Sequence, residues 1–462
     1  MNMSDLKSQL QAIVGDENVS DDDFTLIAYS RDYSAMPPKI PDLVVMPGST
    51  EEVSRVVRLA NKTKTPIISR GGATTGDLAI SNVGIILDTN RMDKIIKIDE
   101  DSMYVTAQGG ASVYTVSKAL KKKGWVLPLS PMFGPMPTIG AWTQTVGCGG
   151  HMTDRGYLSE SLTGIEVVLP TGETVRTGTN SMANCEPFCR YTHTSDMTGL
   201  FIGARGSLGI VTEVSTRIFP AAEVNGRDGG FITLGYDEWA PLLKATKDIS
   251  KADIVATIDV NDRGLGKVID VDFPSPLMIT MTVEGDETEV KKKLDIIKKI
   301  GVETGAVDLG PLIGKFLYYG EAMAGYVYKK QGYGHMIYID AYWHTLDAFP
   351  PIYKTLKEAC ERHGLFLIWY SWVVKGMVCT FPVIAYKEPE QWIDMQEAWK
   401  EVSDSWFAEK NVAPAISVPD PVKYNLDGLR PTYYWLLKTI KQTLDPNNVL
   451  NPEIIPYAGR NQ

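Results

Sequence analysis

The chain has 462 residues, of which 44% are hydrophobic and 22% are charged, an ordinary globular composition with enough apolar side chains for more than one domain. Its formal net charge of −10 disfavours a nucleic-acid partner, because no basic stripe is available to neutralise phosphates. No apolar run approaches the roughly 20 residues that cross a bilayer, and we see no secretory signal. Five scattered cysteines indicate a reduced, cytoplasmic setting.

The first part of the chain predicts alternating strands and helices. The run DLVVMPG is typical of a short buried strand, and a helix follows over 49–64 with Ser49 or Thr50 as its N-cap. The run TPIIS predicts the next strand, which leads into the glycine-rich stretch SRGGATTG at 69–76. Further on, we expect short strands with period-two alternation and a hairpin whose turn lies in LPTGET.

The second part of the chain has a different pattern, beyond a junction rich in small and turn-forming residues at 220–230. Long amphipathic segments such as ETEVKKKLDIIKKIG predict helices. Four runs each predict a strand: SPLMITMTVEG, GHMIYIDAYWH, GLFLIWYSWVV and MVCTFPVIAYK. This pattern predicts a separate α+β domain with helices on one face of its sheet. The tail predicts a helix that ends near Asp445 and Pro446.

The glycine-rich stretch at 69–76 offers backbone N–H groups to an anion. Glycine has no side chain to block a ligand and readily adopts positive φ angles, so such a turn can form an anion-binding nest. Thr74 and Thr75 add hydroxyl donors. The stretch lacks the lysine of a Walker A motif and the spacing of the GxGxxG fingerprint. On its own it is equally compatible with a structural turn.

Two later segments share this glycine-rich character. The stretch PMFGPMPTIGAWTQTVGCGGHMTDRGY occupies 131–157, and GLFIGARGSLGIVTEVSTRIFP occupies 199–220. With 69–76, these ordered segments resemble the FAD-binding domain of the flavoprotein family that includes vanillyl-alcohol oxidase, p-cresol methylhydroxylase and the D-lactate and glycolate dehydrogenases. The upstream PDLVVMPGSTEEVSRVVRLANKTKTPI and the tail DPNNVLNPEI match as well. The resemblance therefore covers essentially the whole chain.

The resemblance implies an α+β fold in two domains. A two-part FAD-binding domain of the vanillyl-alcohol oxidase type would occupy 1–222. An α+β substrate (cap) domain over 223–425 would carry an antiparallel sheet with helices on one face. The C-terminal segment, 426–462, would return to the FAD-binding domain.

The resemblance also implies where FAD binds. The first loop would hold the pyrophosphate with backbone donors, and the later segments would flank the flavin and the adenine end. The residues expected to bind FAD are Arg70, Gly71, Gly72, Ala73, Thr74, Thr75, Gly76, Pro131, Thr138, Ile139, Gly140, Ala141, Gly149, Gly150, Tyr157, Gly209, Ile210 and Asn451.

The positions that tether the flavin covalently in some relatives differ here. Those relatives use a histidine in the first loop or a cysteine in the second segment, where this chain has Ala73 or Thr74 and Met136. The resemblance therefore implies non-covalent FAD. Attachment through a histidine or tyrosine of the substrate domain stays open.

The substrate domain departs from the D-2-hydroxyacid branch of the family. That branch carries HxGDGNxH and GEHG motifs that supply metal ligands, whereas the matching stretches here, WVVKGMVCTFPVIAYKEPE and APAISVPDPVK, lack both histidines and the glutamate. We therefore expect no metal site. The arginine that would clamp a substrate carboxylate is also missing, and Lys315, Lys329 and Lys330 are the available cations.

Aromatic side chains are abundant in the substrate domain, although aromatic residues also fill strands and cores. In the run GHMIYIDAYWH, read as one strand, alternation places two phenols, a carboxylate and an imidazole on one face. Such a face suits general-base chemistry. With the histidine beside the glycine pair of the second segment, the candidate catalytic residues are Tyr338, Asp340, Tyr342, His344 and His151.

The resemblance and these residues together predict an FAD-dependent oxidoreductase that acts without a metal. We expect it to transfer hydride from a hydroxylated, aromatic substrate, a phenol or benzylic alcohol, to flavin N5. Two alternatives stay open: a D-2-hydroxyacid dehydrogenase of the lactate or glycolate type, and a flavin-holding subunit that relays electrons. The acceptor could be oxygen, a quinone, a cytochrome or an electron-transfer protein, and a homo-oligomer is compatible with the sequence.

Overall fold

The computed structural model of the protein describes most of the chain. The described residues are 3–32, 37–74, 83–130, 136–221, 230–269, 272–311, 313–314, 335–338, 342–413 and 428–455. For residues 268–269, 335–338 and 342 the backbone alone is described.

Helices are distributed along the whole described chain. They are α1 (Met3–Val14), α2 (Asp23–Ala28), α3 (Thr50–Thr63), α4 (Val113–Lys121), α5 (Ile139–Gln144), α6 (Met152–Arg155), α7 (Leu158–Ser161), α8 (Thr198–Phe201), α9 (Trp239–Ala252), α10 (Gly264–Ile269), α11 (Glu287–Glu303), α12 (Phe349–Arg362), α13 (Trp392–Ala408) and α14 (Pro431–Leu444). Short 3₁₀ turns lie at Asp16–Asn18, Gly178–Ser181 and Leu346–Ala348.

The strands of the N-terminal half are β1 (Val19–Ser20), β2 (Leu43–Val45), β3 (Ile67–Arg70), β4 (Ile85–Asp88), β5 (Ile95–Asp99), β6 (Tyr104–Gln108), β7 (Trp125–Val126), β8 (Leu162–Val168), β9 (Thr174–Arg176), β10 (Ile210–Arg217) and β11 (Phe219–Pro220). Those of the C-terminal half are β12 (Gly230–Tyr236), β13 (Thr257–Asp262), β14 (Leu277–Val283), β15 (Val307–Gly310), β16 (His335–Tyr338), β17 (Tyr342–Thr345), β18 (Phe366–Ile368), β19 (Tyr370–Val374), β20 (Met377–Thr380), β21 (Val383–Tyr386) and β22 (Val412–Ala413).

The N-terminal half contains two main sheets. The first has the order β1-β2-β4-β3, with β2 and β3 parallel to β4, and the second is antiparallel with the order β5-β6-β10-β8-β9. Helix α3 packs on the first sheet through Val53, Val56 and Val57, which are fully buried. Ser49 caps this helix by accepting a hydrogen bond from the Glu52 N–H, as the sequence predicts. The predicted hairpin between β8 and β9 is also present.

The C-terminal half is built on an eight-stranded sheet with the order β15-β12-β14-β13-β19-β20-β17-β22. Helices α9, α11, α12 and α13 cover one face, around a core that includes Ile258, Ile279 and Trp369. The other face packs against the N-terminal half, where Met278 and Trp372 join Ile139 and other residues in one hydrophobic cluster. The structure thus confirms an α+β fold with helices on one face of an antiparallel sheet.

Each of three predicted long strands is divided between two sheets. Strands β16, β18 and β21 form a separate three-stranded sheet, while β17, β19 and β20 belong to the eight-stranded one. The breaks fall at Trp369, at Phe381-Pro382 and between 338 and 342. Proline lacks the N–H that a continuous strand would need, which accounts for one break. The expectation of one continuous strand through GHMIYIDAYWH is therefore wrong.

The C-terminal segment closes onto the N-terminal half. Lys441 of α14 is fully buried, and its Nζ donates to the carbonyl oxygens of Ser207 (2.9 Å) and Leu450 (2.6 Å) and to Asp445 Oδ2 (2.5 Å). Asp445 in turn accepts from the N–H groups of Val449 and Leu450. All three ammonium protons are thus used, which makes burial of this ion pair tolerable.

Candidate active site

The glycine loop after β3 packs directly on the second glycine-rich segment. A β-carbon at Gly71 would overlap Thr138 Oγ1, and one at Gly72 would overlap the carbonyl oxygen of Met136. Ala73 follows with φ of 48°, in the left-handed region. A side chain at either glycine would push the two segments apart, so this contact accounts for the glycines.

The start of the second segment holds its backbone against the five-stranded sheet. The Gly140 N–H donates to the carbonyl oxygen of Gly109 (2.8 Å), and a β-carbon at Gly140 would lie 2.7 Å from that oxygen. Ile139 is fully buried in the hydrophobic core, and Ala141 follows it in the short helix α5. Gly140 thus allows α5 to pack closely on the backbone of the Gly109 turn.

The third segment and the tail meet the same region. Gln144 Nε2 donates to the Gly209 carbonyl oxygen (2.8 Å), and Ile210 begins β10 directly afterwards. The Asn451 N–H donates to the Ile67 carbonyl oxygen (2.8 Å), while its Nδ2 donates to that of Arg205 (2.7 Å). Residues far apart in sequence thus form one cradle at the end of β3.

Two buried oxygen atoms in this cradle are suited to hydrogen bonding with a ligand. Thr138 Oγ1 and Asn451 Oδ1 are buried, and neither has a hydrogen-bond partner among the described residues. Buried polar atoms are nearly always paired, because leaving one unpaired costs about 1–3 kcal/mol. A ligand with both hydrogen-bond acceptors and donors, as FAD has, would pair both atoms. The residues present therefore fit FAD.

The side chain of Arg70 contacts the end of α2. Its guanidinium lies 5.0 Å from the ring centroid of Tyr29, and Nη1 donates to the Tyr29 carbonyl oxygen (3.3 Å). The Tyr29 hydroxyl donates to the buried Asp88, and burial raises the pKa of that carboxyl. Arg70 thus anchors β3 to α2, and we assign it this structural contact.

The glycine pair of the second segment leads into the interface between the two halves. Gly149 and Gly150 lie against Ser130, with which Gly150 exchanges two backbone hydrogen bonds (3.0 and 3.2 Å). His151 follows with φ of 72°; its N–H donates to Thr257 Oγ1 (3.0 Å), and its Nε2 lies 2.7 Å from Glu284 Oε1. The His151 ring is therefore held by the eight-stranded sheet.

The face of the eight-stranded sheet that looks toward the FAD-binding half carries an unexpected polar group. In β13, Asp259 and Asn261 are buried on this face, opposite Trp372 and Tyr370 of β19. The Tyr370 hydroxyl donates to Asp259 Oδ1 (2.8 Å). Burial raises the pKa of Asp259 to about 7, although the hydrogen bond from Tyr370 and the contact with Trp372 oppose this rise.

Sequence reasoning missed this pair, although one signal was present. In the run TIDVND, the polar residues Thr257, Asp259 and Asn261 alternate with Ile258 and Val260. Period-two alternation in a central strand indicates one apolar face and one polar face. Since this strand is buried on both sides, its polar face marks a site rather than solvent exposure.

Aromatic side chains complete this face. Trp372 makes edge-on contacts with Tyr370 and Phe381, at centroid distances of 5.0 and 4.9 Å. Trp343 lies edge-on to Tyr157, 6.5 Å away. Tyr157 was expected to bind FAD; the structure buries its hydroxyl beneath the sheet without a partner in the described region, and burial raises its pKa.

His344 lies on the opposite face, which corrects the expectation that it joins a catalytic set over the flavin. Its Nδ1 lies 2.8 Å from the Thr345 carbonyl oxygen and its Nε2 lies 2.7 Å from Thr380 Oγ1. The ring packs edge-on against Phe349 of α12 (5.0 Å), and burial lowers the pKa of His344 to about 4. His344 is therefore a neutral core residue beneath the helices.

The remaining expected site residues are described in part or not at all. Tyr338 and Tyr342 have described backbones in β16 and β17, which belong to different sheets. Thr74 is buried at the end of the described part of the loop. The other members of the expected sets lie outside the described residues: Thr75, Gly76, Pro131 and Asp340.

Comparison with known families identifies the cofactor of the chain. Residues 41–178 match the model of an FAD binding domain, and residues 231–410 and 423–455 match that of the C-terminal domain of FAD linked oxidases. The chain belongs to the FAD-linked oxidases. It is an FAD-dependent oxidoreductase. The first two glycine-rich segments of the cradle lie within the residues that match the FAD-binding model, and Asn451 lies within those that match the C-terminal domain.

Individual relatives of this oxidoreductase differ in what they act on. It is 28% identical to the glycolate oxidase subunit GlcD of Bacillus subtilis, over 97% of this chain and 96% of that protein. Its fold is similar to that of p-cresol methylhydroxylase, with a TM-score of 0.83, 16% identity and 98% and 96% coverage of the two chains. The 4-ethylphenol oxidase of Gulosibacter chungangensis gives a TM-score of 0.82 at 17% identity, covering 99% and 97%. These structural similarities show the fold.

Two further observations concern the described part of the oxidoreductase. Its helices there include none that is long and apolar enough to cross a membrane. The same residues contain no group of three or more histidine, cysteine, aspartate or glutamate side chains arranged to hold a metal ion.

Proposed function

We propose that this FAD-dependent oxidoreductase oxidises a hydroxylated aromatic substrate, a phenol or a benzylic alcohol, without a metal ion. The observation that supports this proposal is the hydrogen-bonded pair of Asp259 and Tyr370 on an aromatic face that looks toward the FAD-binding half. We also propose the cytoplasm as its location and the division at 1–222, 223–425 and 426–462 as its domains.

The aromatic side chains provide the substrate-binding surface. Trp372 contacts both Tyr370 and Phe381 edge-on, and such clusters bind aromatic rings through stacked and edge-on contacts. None of the strands β13, β14, β17, β19 and β20 contains a lysine or arginine. The sheet therefore offers no cation to a substrate carboxylate, and it favours a neutral ring.

The pair of Asp259 and Tyr370 provides the base. With a pKa of about 7, Asp259 is partly ionised near neutral pH and can accept the hydroxyl proton of a substrate bound beside Tyr370. Loss of that proton and of a hydride from the carbinol carbon converts an alcohol to a carbonyl compound. In a 4-alkylphenol, loss of the phenolic proton and of a hydride from the benzylic carbon para to the hydroxyl gives a quinone methide. When bound, FAD supplies the acceptor for the hydride and its two electrons.

The earlier candidates have secondary places in this proposal. His151, fixed by Glu284 and Thr257, lies beside Gly150 and is a second candidate for holding the substrate hydroxyl. Tyr338, Tyr342 and Asp340 stay predictions that rest on sequence alone. We further propose that FAD is bound non-covalently, because Ala73 and Met136 cannot form a bond to it.

A second candidate function is oxidation of a D-2-hydroxyacid. The glycolate oxidase subunit GlcD matches nearly the whole chain, which favours this function. Lys315, Lys329 and Lys330, outside the described residues, would then have to bind the substrate carboxylate.

Anaerobic titration of the purified protein separates the two functions. The flavin absorbance is followed during addition of 4-alkylphenols, benzylic alcohols, D-lactate and glycolate, each with and without a chelator. Bleaching by a phenol or benzylic alcohol that the chelator leaves unchanged supports the proposal. Bleaching by D-lactate or glycolate alone contradicts it. Acid precipitation, which releases non-covalent FAD into the supernatant, tests the mode of attachment.

A further inference from the structure

Asn261 is a buried amide with two hydrogen-bonding atoms, on the face of β13 that carries Asp259. Its side chain is fully buried, and neither Oδ1 nor Nδ2 has a hydrogen-bond partner among the described residues. Buried polar groups are paired in the great majority of cases, so an amide with two unpaired atoms needs an explanation. A structural role would require a partner, and the surrounding strands supply none to it.

The position of Asn261 relates it to the proposed active site. It lies between Met278 and Tyr370 in the ladder of the eight-stranded sheet, and it shares the face of Asp259. Met278 and Tyr370 both belong to the hydrophobic cluster that continues into the FAD-binding half. Asn261 therefore faces the same side as the Asp259–Tyr370 pair.

The distance along the strand gives the spacing of two substrate groups. Residues two apart in a strand are separated by about 7 Å on one face. A ring with two polar substituents in para positions spans about that distance. One substituent can therefore form a hydrogen bond with Asp259 while the other forms one with Asn261. The aromatic side chain of Tyr370 lies opposite Asn261 in the neighbouring strand.

The chemistry of an amide selects the second group. Oδ1 accepts and Nδ2 donates, so a hydroxyl, which both donates and accepts, can pair either atom or both. A carboxylate has no proton for Oδ1, and it would place a negative charge near Asp259 in strands that carry no lysine or arginine.

We propose, on the basis of the proposed function, that Asn261 determines specificity by binding an uncharged hydroxyl about 7 Å from the reacting one. The substrate class is then an aromatic alcohol with a para hydroxyl group. Asn261 binds this distal group, and the Asp259–Tyr370 pair takes the proton of the reacting hydroxyl.

Three matched probes test this assignment: benzyl alcohol, 4-hydroxybenzyl alcohol and 4-(hydroxymethyl)benzoate. Their dissociation constants and flavin-reduction rates are measured for the FAD-loaded wild type and for Asn261→Leu. Thr280→Val is the control, because Thr280 lies on the same face and is also fully buried, but its hydroxyl is paired with Thr233. The unfolding temperature of each variant is measured as well.

The wild type should bind 4-hydroxybenzyl alcohol most tightly and the benzoate most weakly. Asn261→Leu should lose roughly 10-fold in affinity for 4-hydroxybenzyl alcohol, keep its affinity for benzyl alcohol and unfold at a higher temperature, because an unpaired amide has been removed. A structural asparagine would give the opposite change in unfolding temperature.

Each contrary result has a distinct meaning. If benzylic alcohols bleach the flavin but Asn261→Leu binds all three probes as the wild type does, the assignment fails, and the amide holds only an ordered water. Tighter binding of the benzoate than of the phenol also overturns it. If none of the probes binds and D-lactate bleaches the flavin, the proposed function itself fails, and the assignment with it.

Discussion

Tyr370 Oη lies 2.8 Å from Asp259 Oδ1, and these two residues are 111 positions apart in the sequence. The strands that carry them are neighbours in the sheet, with Asp259 opposite Trp372 and Asn261 opposite Tyr370. A second buried pair of the same kind, Tyr353 and Asp262 (3.1 Å), lies on the helix-covered face of the sheet. The Tyr353–Asp262 pair in the core can therefore serve as a control for the Tyr370–Asp259 pair in the proposed site.

The first prediction concerns the pH dependence of flavin reduction. If Asp259 is the base, the rate should rise with pH through about 7, where its carboxyl ionises. The hydrogen bond from Tyr370 lowers the pKa of Asp259, so Tyr370→Phe should shift the profile to higher pH. Asp259→Asn should lower the rate by roughly 10²–10⁴-fold and abolish the rise. Stopped-flow reduction at a series of pH values measures all three.

The core pair is the control for this prediction. Burial raises the pKa of Asp262 to about 6, yet this carboxyl accepts hydrogen bonds from Tyr353, Trp369 and Gly264 beneath the helices. Asp262→Asn should therefore leave the shape of the pH profile unchanged. If the pH profile of flavin reduction changes in Asp262→Asn and not in Asp259→Asn, the titrating carboxyl lies on the helix-covered face, and Asp259 is not the base.

The sequence predicts the elements that depend on local patterns. The N-cap at Ser49, the face of α3 and the glycine loop after β3 follow from side-chain chemistry within a few positions. The family resemblance adds the FAD-binding fold, because its motifs cover the whole chain. The proposed base differs, since Asp259 and Tyr370 meet through strand pairing that single-sequence periodicity does not specify.

The largest error, the face assigned to His344, has a physical cause in the way the strands divide between two sheets. Alternation assigns residues to faces only while a strand stays regular, and β16 and β17 belong to different sheets. His344 accordingly lies with Val378 under α12, and Trp343 with Cys379 faces the FAD-binding half. Which sheet a strand joins depends on its pairing with neighbouring strands, and the sequence of one strand does not specify that pairing.

The second prediction uses His344 to test this corrected placement. The pKa of His344 is lowered by burial from 6.5 to about 4, so the unfolded state binds the proton more tightly between these values. Stability should therefore fall as pH decreases from 6.5 to 4. His344→Gln should remove up to about 3 kcal/mol of this decrease.

Urea unfolding of the wild type and His344→Gln at pH 7, 5.5 and 4 measures the difference, with the exposed His193→Gln as the control for loss of a histidine. Comparing variant with wild type removes the opposing contributions of Asp259 and Asp262, whose raised pKa values make stability fall as pH rises. If the free energy of unfolding of His344→Gln depends on pH as that of the wild type does, the His344 ring is not buried in its neutral form, and the corrected placement is wrong.

The third prediction concerns the ion pair that ties the C-terminal segment to the cradle. Lys441→Met leaves Asp445 as an unpaired buried charge and frees the Ser207 and Leu450 carbonyl oxygens, so unfolding should become easier by about 3–5 kcal/mol. Leu450 precedes Asn451, and FAD should therefore also bind more weakly. Lys438→Met, one turn earlier on α14, controls for loss of a lysine. Equal effects of the two substitutions would contradict a specific role for Lys441.

The fourth prediction tests whether the contact between the two glycine-rich segments is needed for the cofactor. A methyl group at Gly72 would overlap the Met136 carbonyl oxygen, which is backbone and cannot rotate away, so Gly72→Ala should separate the loop from the second segment. We expect FAD affinity to fall at least 10-fold, which corresponds to about 1.4 kcal/mol. The measurement is the recovery of flavin absorbance when the apoprotein is titrated with FAD.

Gly199→Ala is the control, since its added methyl group lies 3.5 Å from the nearest side-chain atoms, an ordinary contact. If Gly72→Ala binds FAD as tightly as Gly199→Ala does, the cradle described here is not the cofactor site.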